Sequence, residues 1–219
     1  MNKKIKSLTE KVYKKIRDEI ITSSLKPGER LIEKKLCEKY NVSRTPLREA
    51  LMQLQAQGYI TMGGKRGSVV KRLSMKEVEE LYNILALLEP QSSAKAASRR
   101  TKKDISKLNK LFDVMSSNIK KDDYRLLVSD NDKFHNLIIN ISRSEVLLEI
   151  INTIRNRLYR FRILMLRTGS TRHFLPQHKT ILDAIVDGDA KKAEETMKNH
   201  MLAGKKERMK FLKTYPELL

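Results

Sequence analysis

The chain has one cysteine, Cys37, in 219 residues, no tryptophan, and only 8 glycines and 5 prolines. One cysteine excludes an intrachain disulfide framework and fits a reducing cytoplasm. Scarce Gly and Pro leave few breaks in the chain, which favours helices. The longest purely apolar run, Ile84-Leu85-Ala86-Leu87-Leu88, falls far short of the ~20 residues of a membrane-spanning helix, so no membrane partner is expected. A secretory leader is not expected either, because Lys11, Lys14 and Lys15 fall where its apolar stretch would lie. Acidic residues are the remaining shortage: 26 Asp and Glu face 46 Lys and Arg, for a net charge of +20. With 40% hydrophobic residues the chain is nevertheless too apolar for a disordered polycation.

The positive charge is unevenly spread. Residues 1–73 hold 18 Lys and Arg against 7 Asp and Glu, and residues 74–219 hold 28 against 19 over twice the length. Charge density therefore points to the N-terminal third as the surface that meets a polyanion. Charge alone is equally compatible with a dispersed basic protein, or with one that coats DNA without sequence preference.

The N-terminal third reads as three helices and a hairpin. Ser7-Leu8-Thr9-Glu10 has the form of a capping box, and Val12, Ile16, Ile20 and Ile21 follow at helical spacing, predicting a helix over about 8–23. Leu25-Lys26-Pro27-Gly28-Glu29 is turn chemistry. A short second helix carries Ile32, Leu36 and Tyr40 on one face; Asn41 turns the chain and Val42 enters the core. Ser43 caps a third helix with Pro46 in its first turn, Leu47, Leu51 and Leu54 inside, and Gly58 at its end. Two short strands, Tyr59-Ile60-Thr61-Met62 and Ser68-Val69-Val70-Lys71, flank the basic tip Gly63-Gly64-Lys65-Arg66-Gly67. This is the order of a winged helix-turn-helix, whose third helix enters the major groove by its N-terminus. Arg44 and Arg48, one turn apart with Thr45 between them, are placed to read base edges, and Lys65 and Arg66 to reach the backbone or minor groove.

Leu25-Lys26-Pro27-Gly28-Glu29-Arg30-Leu31, Val42-Ser43-Arg44-Thr45-Pro46-Leu47-Arg48-Glu49-Ala50-Leu51, Gly58-Tyr59-Ile60 and Arg66-Gly67 resemble the GntR family of bacterial transcription regulators. The resemblance implies a homodimer on a palindromic double-stranded DNA operator. It places Lys34, Ser43, Arg44, Thr45 and Arg48 at the family's DNA contacts, with Lys65, Arg66 and Gly67 on the wing.

After residue 73 the pattern is helical throughout. In the first helix Val78, Leu81, Ile84 (or Leu85) and Leu88 follow Ser74 and Glu77. Further helices read at about 101–120, 122–142, 144–167, 174–187 and 189–212, the fourth of the six carrying an inward stripe of Leu147, Ile151, Ile154, Leu158, Phe161 and Met165. Asp189 caps the last. Of four histidines, His135, His178 and His200 fall on inward positions of three different helices, and His173 falls in a loop. Their spacing suits either ordinary core histidines or the nitrogen ligands of a metal, and Asn131 can address the same point as His135 from one turn away.

Asn131-Asp132-Lys133-Phe134-His135, His178, Ala184-Ile185-Val186-Asp187-Gly188-Asp189-Ala190 and His200-Met201 resemble the all-helical effector domain of the FadR branch of that family, in its shorter VanR-like form. The resemblance implies a divalent metal (Zn, Mn or Ni) held by Asn131, His135, His178 and His200, with a small organic acid as effector. Asn131 stands where the family has Asp. Leu85 stands four residues before Glu89, where many members carry an arginine that clamps a carboxylate. Arg155 and Arg162, beside the inward stripe, are the candidate substitutes.

The expected fold is therefore mainly α: a winged helix-turn-helix DNA-binding domain over residues 1–73, then an all-helical ligand-binding, metal-binding and dimerisation domain over 74–219. Three histidines could also serve a metalloenzyme, but no HExxH or nucleophile motif is present, and no carboxylate falls on the histidine stripes. A cytoplasmic, metabolite-responsive regulator, a repressor rather than an enzyme, is the reading these features favour.

Overall fold

A computed structural model describes residues 3–62, 67–119, 124–166, 174–216 and 219, with 3–7, 124–125, 160 and 162–166 described by backbone alone. Lys65, Arg66 and His173 lie outside the described residues, as does the side chain of Arg162. The chain divides into two compact units. One comprises Met1–Ser74, Arg155–Arg160 and Glu217–Leu219; the other comprises Met75–Ile154 and Phe161–Pro216.

The first unit contains α1 (Lys3–Ile21), β1 (Arg30–Leu31), α2 (Glu33–Tyr40), α3 (Arg44–Ala56), β2 (Ile60–Met62) and β3 (Ser68–Val70). Helix α1 is already helical at Lys3, so Ser7 lies inside it and does not cap it. Its apolar stripe of Val12, Ile16 and Ile20 is buried, and α1 packs against α3, whose Leu47, Ala50, Leu51 and Leu54 are fully enclosed. Thr9 Oγ1 donates to Glu49 across that contact at 2.8 Å. Asn41, in the left-handed region at φ 52°, ends α2. Ser43 occupies the N-cap of α3, although its side chain makes no capping hydrogen bond.

Three expectations are corrected here. The wing is a three-stranded antiparallel sheet in the order β1-β3-β2, with Arg30 opposite Val69 and Ile60 opposite Val70. Arg30–Leu31 is too short to show strand alternation and becomes a strand by pairing with β3. Ile32 is not an inner-face residue: it sits at the N-cap of α2, 49% exposed, while Leu36 alone of that helix is buried. Val42 is only half-buried.

Six helices follow among the described residues: α4 (Met75–Arg99), α5 (Lys102–Ile119), α6 (Tyr124–Ile141), α7 (Glu145–Leu166), α8 (Leu175–Asp187) and α9 (Ala190–Thr214), all in the second unit except the Arg155–Arg160 stretch of α7. Helix α4 runs against α9, and also packs on α6 and α8; α5 packs on α6 and α8, and α8 on α9. The stripe of α4 uses Val78, Leu81 and Leu85 together with Tyr82 and Ala86, and Ile84 faces out. Along α7, Ile151, Ile154, Leu158 and Phe161 are buried. Gly188, at φ 80°, ends α8, and Asp189 caps α9 by accepting from the Lys192 N–H at 2.9 Å.

Candidate metal centre and nucleic-acid face

The three inward histidines converge. His135 from α6, His178 from α8 and His200 from α9 are 2%, 3% and 7% exposed, and one ring nitrogen from each lies within 4.8 Å of the others. Their ring centroids are 4.5–5.3 Å apart. Phe134 meets His178 edge-on, and Phe174 meets His200 in the same way.

The partners of these rings decide what they can do. His135 Nδ1 lies 2.6 Å from Glu89 Oε2, a carboxylate on α4 that is 1% exposed. Because a carboxylate only accepts, Nδ1 carries a proton and Nε2 is the ring nitrogen turned to the other histidines. That Nε2 lies 3.3 Å from His178 Nε2. His200 Nδ1 donates to Gln177 Oε1 at 2.9 Å, which leaves Nε2 as the ring nitrogen for a further partner. His178 is held neutral: burial first, then the neighbouring His135, pull its pKa from 6.5 to about 3, and the backbone at Phe174 and the charge of Glu89 only partly offset this.

Three buried imidazoles with one ring nitrogen each gathered at one point, one of them braced by a buried carboxylate, fit a divalent cation. The chemistry of the donor set suits zinc-like metals rather than Mg or Ca, which prefer all-oxygen ligands. Asn131 is half-buried one turn before His135 on α6. Arg155 is buried in the stretch of α7 that groups with the first unit, whereas the histidines belong to the second. Leu85, at the position of the expected carboxylate clamp, is an ordinary core residue at 2% exposure.

Sequence spacing missed Glu89 and Gln177 as histidine partners. Glu89 carried a usable signal, since it is an acidic residue in phase with the buried stripe of Tyr82, Leu85 and Ala86.

On the first unit Lys34, Ser43, Arg44, Thr45 and Arg48 are all exposed, on α2 and at the start of α3, and Gly67 is exposed at the base of the wing. Arg48 is engaged: its Nε lies 3.0 and 3.2 Å from the two carboxylate oxygens of Glu33 on α2. With side chains 62% and 33% exposed, this pair is worth less than about 1 kcal/mol.

A three-helix winged unit followed by a helical bundle is the architecture of a two-part DNA-binding transcription regulator. Residues 8–70 match the bacterial regulatory proteins of the gntR family, and residues 80–203 match the FCD domain. The chain belongs to the GntR family, in the group whose C-terminal domain is FCD. Its relatives include the HTH-type transcriptional regulator YdhC of Bacillus subtilis strain 168, 27% identical over 194 residues, covering 87% of this chain and 84% of that one. They also include the HTH-type transcriptional repressor RspR of Escherichia coli strain K12, 26% identical over 195 residues, covering 89% and 86%. The fold is shared with the solved structure of E. coli McbR/YncC, with a TM-score of 0.75 over 90% of this chain and 94% of that one at 24% identity. The family is one of transcription regulators, not enzymes.

Proposed function

We propose that this regulator is a homodimeric, cytoplasmic repressor of the FadR subfamily that binds a palindromic operator and is controlled by a metal-dependent small organic acid. The division of labour falls at residue 73, with operator binding before it and metal, effector and dimer contacts after it. RspR, which is named a repressor and is similar along most of the chain, supports the sign of regulation. Arg44 and Arg48 would read base edges, while Lys34, Ser43 and Thr45 and the wing residues Lys65, Arg66 and Gly67 would fix the backbone.

The observation that carries the sensing half is the buried histidine cluster braced by Glu89. His135, His178 and His200 would hold Zn, Mn or Ni, with Asn131 as a weaker fourth ligand. The metal would supply a Lewis-acidic position for an effector carboxylate. Arg155 and Arg162 are the sequence's candidates for the far end of that effector. The test is to incubate the purified protein with genomic DNA fragments, with and without zinc, and sequence what is retained. Enrichment of a short inverted repeat supports the reading; random retention that vanishes with salt favours a DNA-coating role instead.

A further inference from the structure

The cluster has a cationic neighbour that spacing did not reveal. Arg208 lies on α9 about two turns beyond His200, and Tyr82 lies on α4 about two turns before Glu89. Helices α4 and α9 pack on one another, and the Arg208 guanidinium carbon lies 5.3 Å from the Tyr82 ring centroid. The arginine side chain also folds back along α9. A Cβ built on Gly204, the buried residue midway between His200 and Arg208, would lie 2.2 Å from Arg208 Nη1. The guanidinium head therefore covers Gly204, about one turn, or ~6 Å, along the helix from His200.

We propose that Arg208 is the carboxylate clamp of the effector site, holding the far end of a small di- or hydroxycarboxylic acid whose near end lies at the histidine cluster. It replaces from α9 the arginine that α4 lacks at Leu85. Guanidinium suits this role because its fork of N–H donors matches a carboxylate, and the aromatic face of Tyr82 steadies it. Gly204 is part of the device: the nearest atoms a Cβ there would meet are the movable end of Arg208, so a side chain would displace the clamp first. The inference rests on the reading of the cluster as a metal centre.

The test is calorimetry on the zinc-loaded full chain with succinate, L-malate, L-lactate and acetate. Arg208→Gln should weaken the tightest-binding of the first three by about 10- to 100-fold. Acetate, which has no far end, should bind the variant as it binds the parent, and zinc affinity should be unchanged. Arg208→Lys should recover part of the loss. Gly204→Ala should lose affinity with no fall in Tm, which separates clamp displacement from misfolding. The proposal is overturned if Arg208→Gln binds the acid as the parent does, if it loses zinc as well, or if Arg155→Gln loses the acid instead. It is equally overturned if none of the four acids binds the zinc-loaded parent. Failure of the parent to take up zinc, seen before any acid is added, sinks the metal reading itself and is recognised separately.

Discussion

Arg48 is paired with Glu33, and on the proposed reading of the recognition helix DNA binding would exchange that carboxylate for a base edge. The exposed pair is cheap to break, so Arg48→Ala should lose about 1–3 kcal/mol of specific binding and relax base preference at its position. Glu33→Gln should tighten binding by up to about fivefold, since it frees the arginine and removes a negative charge beside phosphates. Anisotropy titrations at one fixed salt concentration measure both. His178 supplies a second residue-scale prediction. Its pKa is about 3 in the fold against 6.5 in an unfolded chain, so between those values the unfolded state binds more protons. Stability of the metal-free protein should fall as pH drops from 6.5, by roughly 1 kcal/mol per unit. Urea unfolding between pH 6.5 and 4.5 avoids most carboxylate titration, and His178→Gln should flatten the slope. Asn131→Asp should tighten zinc, because a carboxylate adds the charge that an amide lacks.

At the scale of elements, α3 depends on its buried side. Leu51 is fully buried against α1, so Leu51→Ala should cost about 2–5 kcal/mol and abolish operator binding through unfolding of the first unit. Chemical denaturation followed by helix content checks this. Gly67 holds φ 74°, with only Leu31 O near a would-be Cβ at 3.9 Å, so backbone conformation rather than space demands glycine. These elements also show what the sequence could tell. The six helices after residue 73 were legible because long runs of helical periodicity overwhelm local ambiguity, and their ends lie within a few residues of expectation. Short elements were not: β1 owes its strand geometry to a partner nearly forty residues later. Ile32, spaced four before Leu36, reads as inner face but precedes the first turn of α2. At the centre, inward phase and family resemblance picked out the three histidines. Glu89 stayed hidden as their brace because it is 46 residues from His135 on another helix, a relation no local spacing carries.

For the whole molecule, a charge of +20 makes DNA affinity a function of salt. The logarithm of the operator association constant should fall linearly with log salt, and Lys34→Ala should reduce that slope by about 1 while leaving base preference intact. Zinc at 100 times its Kd should add about 3 kcal/mol to the stability of the folded chain. A rise in Tm that His178→Ala abolishes is the expected result, and an unchanged Tm with zinc would contradict the metal centre.

The centre draws on α4, α6, α8 and α9, through pairs separated by 46 and 43 residues. No fragment that lacks one of these helices contains the site, and the contacts close only when distant segments have docked. A bound ion would thus act as a clock on the way out rather than a guide on the way in. In stopped-flow chevrons zinc should leave the refolding limb in place and slow the unfolding limb, so that the loaded regulator persists through conditions in which the empty one opens.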